Sequence, residues 1–105
     1  MQYTSFLDNG KLTVALTGEI DHHCAKNCIG AINSKTEAYT PSICVLDFHE
    51  VTFMDSSGIA VVINALRAMN RLNGVLQLSS LTGQPLKVLR ASGVDKLVDI
   101  MEAVT

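Results

Sequence analysis

The sequence predicts an α/β domain: a mixed β-sheet opened by an antiparallel hairpin, with helices packed on it, in the order ββαβαβα plus a short C-terminal element. Three observations carry this. Two short extended runs flank Asp8-Asn9-Gly10, a strong two-residue hairpin signal. Helical apolar spacing then alternates with short apolar strands. Gly or Pro marks most of the joints between them, so the later strands are expected to lie parallel, linked by right-handed helical crossovers.

The first strand covers residues 3–7 and the second 11–17, where Leu12, Val14 and Leu16 alternate with Thr13, Ala15 and Thr17. One face is apolar and the other small and mild, as for a strand with one side on a core. Gly18 is read as the end of that strand and Asp21 as the N-cap of a helix over about 22–38, on the spacing of Ala25, Cys28, Ile29, Ile32 and Tyr39. Pro41 closes the helix. Ile43-Cys44-Val45-Leu46-Asp47-Phe48 is almost continuously apolar, the pattern of a strand buried on both faces of a parallel sheet.

A second helix starts at the serines of Asp55-Ser56-Ser57-Gly58, with Ile59, Val62, Ile63, Leu66 and Met69 on one stripe and Asn64, Arg67 and Arg71 opposite. Asn73-Gly74 stops it, and residues 75–78 form the next strand. Gly83-Gln84-Pro85 opens a third helix that Gly93 caps. Residues 97–101 suit either a strand or a helix.

At 105 residues, with 48% apolar and 17% charged residues, the chain is one globular domain over residues 1–105. The net charge of −2 and the thin spread of Lys and Arg give no nucleic-acid footprint. No apolar run is long enough for a membrane span, and the N-terminus lacks the pattern of a signal peptide. A cytoplasmic protein is therefore expected, with Cys24, Cys28 and Cys44 as reduced thiols.

The chemistry narrows quickly. A serine at a strand-to-helix turn suggests a nucleophile elbow, but Met54 stands where the first glycine of Gly-x-Ser-x-Gly belongs. Nothing in the sequence brings His22, His23 or His49 to Ser56 as a base, so a serine hydrolase is disfavoured. His22, His23, Cys24 and Cys28 supply only one cluster of ligand types, where a closed zinc site needs two pairs; no metal is expected. Glycine-rich phosphate loops are absent, and no cofactor is expected. Capping remains. Either serine could accept a bond from an amide two or three residues on, and a phosphate at the same place would meet the positive end of a helix dipole.

Two motifs together carry a resemblance. Leu16-Thr17-Gly18-Glu19-Ile20-Asp21-His22-His23, followed by Phe53-Met54-Asp55-Ser56-Ser57-Gly58-Ile59, resembles the STAS domain, and within it the bacterial anti-anti-sigma factors of which a sporulation factor is one member. The likeness runs from the first hairpin to Ala91-Ser92-Gly93-Val94. It implies a non-enzymatic anti-sigma factor antagonist, monomeric when free, that works by partner switching. The unmodified form would bind an anti-sigma factor with serine kinase activity and release the sigma factor. Phosphorylation, carried over to Ser56, would end that binding, and a PP2C-type phosphatase would restore it. Asp21 transfers as part of the binding surface, with His22, His23, Asp55, Ser57 and Gly58 beside it. The alternative is a STAS domain serving as a constitutive scaffold in a stress-sensing or transporter-associated complex.

Overall fold

The computed structural model describes residues 2–101. In chain order the elements are β1 (Gln2–Asp8), β2 (Lys11–Ile20), α1 (His22–Tyr39), β3 (Ile43–Met54), α2 (Ser56–Arg71), β4 (Val75–Ser79), α3 (Gly83–Ser92) and β5 (Asp99–Met101), with one 3-10 turn at Val94–Lys96. The expected α/β order is present, and of the ambiguous segment 97–101 only Asp99–Met101 is a strand.

All five strands form one sheet in the order β1-β2-β3-β4-β5, antiparallel between β1 and β2 and parallel elsewhere. The hairpin turns at Asn9 and Gly10, whose φ angles of 50° and 78° are the left-handed pair that Asn-Gly tolerates. Each crossover from β2 onward steps one strand in the same direction, so the right-handed rule lays all three helices on one face. Burial agrees. Leu12, Val14 and Leu16 of β2, Cys44 and Leu46 of β3, and Leu76 and Leu78 of β4 share the covered face and are almost wholly buried. On the other face the row Phe6, Thr13, Val45, Gln77 and Asp99 crosses the sheet, with Phe6 exposed and only Val45, on the central strand, buried. Burial of β3 on both faces is therefore confined to the stretch around Val45, near its start.

Two strand ends differ from the sequence reading. β2 does not stop at Gly18 but passes through it, at φ 91°, to Ile20. β3 does not stop at Phe48 but continues to Met54. The register explains both. Between Ala15 and Thr17, and again between Gly18 and Glu19, β3 gains one residue on β2. Apart from Val45 on the opposite face, the buried side chains of β3 consequently fall at 44, 46, 48, 51 and 54, losing the period of two where the bulges occur.

The second helix is rotated slightly from its expected stripe. Its most buried residues are Gly58, Val61, Val62, Ala65, Ala68 and Met69, while Ile59, Ile63 and Leu66 are half-buried at the flanks. Small side chains face inward and let the helix settle close to the sheet. Asn64 does not face solvent: its Nδ2 donates to Oδ1 of Asn33 on α1 at 2.9 Å. Tyr39, placed on the α1 stripe by spacing, is 48% exposed at the helix end, and Thr36 is the buried residue of that turn.

The three thiols are free, as expected. Burial pushes Cys28 and Cys44 up to about 11, with Cys24 adding to the effect on Cys28. Because the thiolate is the reactive form, an alkylating reagent at pH 8 should modify Cys24 alone in the native protein and all three residues after denaturation. Mass mapping of the labelled peptides checks this. Modification of Cys44 as fast as Cys24 would contradict a closed sheet.

Candidate functional site

The last rung of the β2–β3 ladder pairs Ile20 with Met54, and the Asp55 N–H donates to the Ile20 carbonyl at 3.2 Å. The next residue on each strand, Asp21 or Asp55, is the N-cap of a helix. Two helix N-termini thus start side by side at the same end of the sheet. Each aspartate has extended backbone and receives an amide of its own first turn. Asp21 Oδ1 accepts from His23 N at 2.9 Å, and Asp55 Oδ1 accepts from Ser57 N at 2.7 Å.

The Asp55 bond corrects the capping expected of the serines. Asp55, not Ser56 or Ser57, caps α2. Ser56 is the first helical residue, exposed, and among the described residues its hydroxyl takes part in no hydrogen bond. Among the described residues no imidazole or carboxylate is hydrogen-bonded to that hydroxyl as an activating base would be. The His49 ring is directed elsewhere, with its Nε2 3.5 Å from Glu50 Oε1, while the His49 backbone N–H donates to Asp47 Oδ1 at 2.9 Å. Ser57 is half-buried, and Gly58 is buried against Met54.

At the start of α1, Cys24 completes a capping box in the position usually held by Glu or Gln. Its Sγ accepts from Asp21 N at 3.4 Å and donates to the Glu19 carbonyl at 3.3 Å. Cys24 therefore lies within the first helical turn. Desolvation raises the Asp21 carboxyl, but the hydrogen bonds from the backbone N–H groups of His23 and Cys24, with the nearby His23 ring, outweigh it and hold the group below its ordinary value. The cap is ionised at neutral pH, and its contribution to stability is lost only as pH falls through that lowered value. His22 and His23 are exposed, with ring centroids 3.9 Å apart. Among the described residues no three His, Cys, Asp or Glu side chains are placed to hold a metal ion, and no helix is long and apolar enough to cross a membrane.

Asp21, His22, His23, Asp55, Ser56, Ser57 and Gly58 thus all lie in the first turns of α1 and α2 or cap them, whereas His49 lies in β3 and Cys28 one turn further along α1. Two neighbours were missed. Phe53, paired with Glu19, is 40% exposed one strand residue before Met54. Gln84 reaches the same strand end from α3. Phe53 lies inside the second motif and was available to inspection; nothing in the sequence points Gln84 at residue 54.

A single sheet covered on one face by helices, with two helix N-termini side by side and an exposed serine at one of them, defines the class. The STAS domain model matches residues 6–105, and the chain belongs to that family. Its sequence is similar to the anti-sigma F factor antagonist of Paenibacillus polymyxa, 27% identical over 93 residues, covering 89% of this chain and 80% of that one. Its fold is similar to the Bacillus cell fate determinant SpoIIAA in its phosphorylated form, with a TM-score of 0.76, 23% identity, and coverage of 98% of this chain and 92% of that one. An anti-sigma factor antagonist from Mycobacterium paratuberculosis superposes with a TM-score of 0.84 at 20% identity, over 94% of this chain and 83% of that one.

Proposed function

We propose that this protein is an anti-sigma factor antagonist whose unphosphorylated form binds an anti-sigma factor with serine kinase activity and so frees a sigma factor. Phosphorylation of Ser56 ends that binding, and a phosphatase of the PP2C type resets it. The observation that carries the reading is the placement of Ser56: exposed, hydroxyl unengaged, at the first position of α2. Because Asp55 already caps the helix, the serine is not needed for the fold there. A phosphoryl group at that position meets the positive end of the helix dipole, so the modified protein tolerates it. Similarity to anti-sigma F factor antagonists supports the partner class, and SpoIIAA is known in both unphosphorylated and phosphorylated forms. The binding surface comprises Asp21, His22, His23, Asp55 and Ser57, with Phe53 as an exposed aromatic of the type that anchors interfaces, while Gly58, buried against Met54, supports the turn from beneath. The protein acts in the cytoplasm, without a cofactor and with no catalysis of its own.

Mass spectrometry after incubation with ATP and the kinase-type anti-sigma factor from the same genome tests this. One phosphate on Ser56 is expected. Ser56→Ala should abolish labelling, and Ser57→Ala should leave most of it. Labelling that survives loss of Ser56 and disappears with Ser57 would refute the assignment.

A further inference from the structure

β4 ends at Ser79, opposite Asp47, while β3 runs on to Met54 with no strand beside it on that side among the described residues. The first turn of α3 supplies the missing partner. Gln84 Oε1 accepts from the Met54 N–H at 2.9 Å, and Gln84 Nε2 donates to the Met54 carbonyl at 2.8 Å. Both bonds fall on one residue, so a single side-chain amide does for Met54 what a neighbouring strand would. The loop that delivers Gln84 is conformationally unusual. Ser80 has φ 58° and Gly83 φ 60°, and Thr82 makes no side-chain cap for α3. A non-glycine residue in the left-handed region, directed at a particular contact, points to a selected geometry over a relaxed connection.

Met54 is also the residue on which the serine turn rests. Its backbone pairs with Ile20 on the other side, its side chain is fully buried, and Gly58 packs directly on it. Asp55 and Ser56 follow at once. We propose that Gln84 is a positioning residue: its amide fixes the exit of β3 and thereby the direction in which the Asp55–Ser57 turn presents Ser56 to the anti-sigma kinase. Gln84 touches no reacting atom and acts through Met54. The inference rests on Ser56 being the phosphoacceptor, and the test separates the two.

Gln84→Glu is the informative substitution. Protonated, the new carboxyl keeps one acceptor and one donor and still spans Met54; ionised, it sets a second acceptor against the Met54 carbonyl. Backbone amide spectra recorded between pH 4.5 and 8 should therefore match wild type at the acid end and depart from it as the carboxyl ionises. The departure should involve Met54 to Gly58 and the first turn of α3, beyond whatever change Asp55 itself produces at those amides in wild type over the same range. At pH 7.5, kcat/KM for phosphorylation should fall at least ~10-fold, with unfolding within a few degrees of wild type. Amides of residues 55–57 that ignore the carboxyl, or an unchanged kcat/KM, would overturn the proposal. Should Gln84→Glu fail to fold at neutral pH, Gln84→Met removes both bonds without adding charge. Unfolding of that variant too would make the amide purely structural and also overturn it. Wild type that takes no phosphate would count against the functional reading alone, and the spectra would still decide whether Gln84 sets the turn.

Discussion

Gly58→Ala is expected to unfold about 10 °C below wild type, although alanine is the better helix former. A Cβ at residue 58 would lie 2.8 Å from Met54 Cβ, 2.9 Å from its Sδ and 3.1 Å from its Cγ. The thioether could swing aside, but the Cβ of Met54 is fixed by a backbone that Ile20 and Gln84 hold from both sides. Either α2 lifts or β3 shifts. Overpacking of a closed site costs about 1–3 kcal/mol, and the intrinsic gain from Gly to Ala returns no more than about 1 kcal/mol. A net loss of 1–2 kcal/mol corresponds to roughly 4–8 °C per kcal/mol in a domain of this size. Gly30 in α1 is the control, since a Cβ there meets nothing within 4 Å. Gly30→Ala should raise the midpoint by a few degrees. The same chemical change thus has opposite signs at two helical positions. Thermal melts followed by circular dichroism measure both, and equal stabilisation would show that the α2 turn does not rest on Met54.

That glycine also shows what the sequence could and could not convey. The motif containing Gly58 was legible, and so was the helix that follows, because apolar periodicity survives in α2. Its contact with Met54 was not, since close approach depends on how deeply a helix settles into a sheet. The end of β3 was hidden for a different reason. Bulges break the alternation after Phe48, so His49-Glu50-Val51-Thr52-Phe53-Met54 carries no strand period. Yet those residues aim the serine turn. Capping was legible at α1, where Asp21 stands alone before the apolar stripe. At α2 three cap-forming residues stand in a row, and propensity does not choose among Asp55, Ser56 and Ser57. The register does: Ile20 and Met54 pair last, so Asp55 takes the cap and Ser56 is left free. Gln84 was beyond reach because a side chain acting as a strand substitute leaves no local pattern.

Phosphorylation of Ser56 should weaken the anti-sigma complex at least ~100-fold while leaving the free protein's fold almost unchanged. The phosphate adds close to two negative charges at pH 7, immediately beside Asp55 and at the end of the sheet that also carries Asp21. In the free protein this charge is exposed to water and faces the N-terminal end of α2, so the sheet need not respond. In a complex the same group must enter a surface fitted to a hydroxyl. Burying an unpaired charge costs several kcal/mol, and each 1.4 kcal/mol is tenfold in affinity. The weakening therefore follows from exclusion, steric and electrostatic together. Ser56→Asp should reproduce part of it, because a carboxylate is smaller and carries one charge. Ser56→Ala, adding neither bulk nor charge, should bind about as well as the unmodified protein. A calorimetric titration of each form with the anti-sigma factor gives the affinities, and paired backbone amide spectra give the structural response. Shifts confined to the first turn of α2 and the Asp21 region, together with lost binding, are the expected result. Shifts running through β2, β3 and β4 would mean that the phosphate refolds the domain, and exclusion would have to be abandoned as the mechanism.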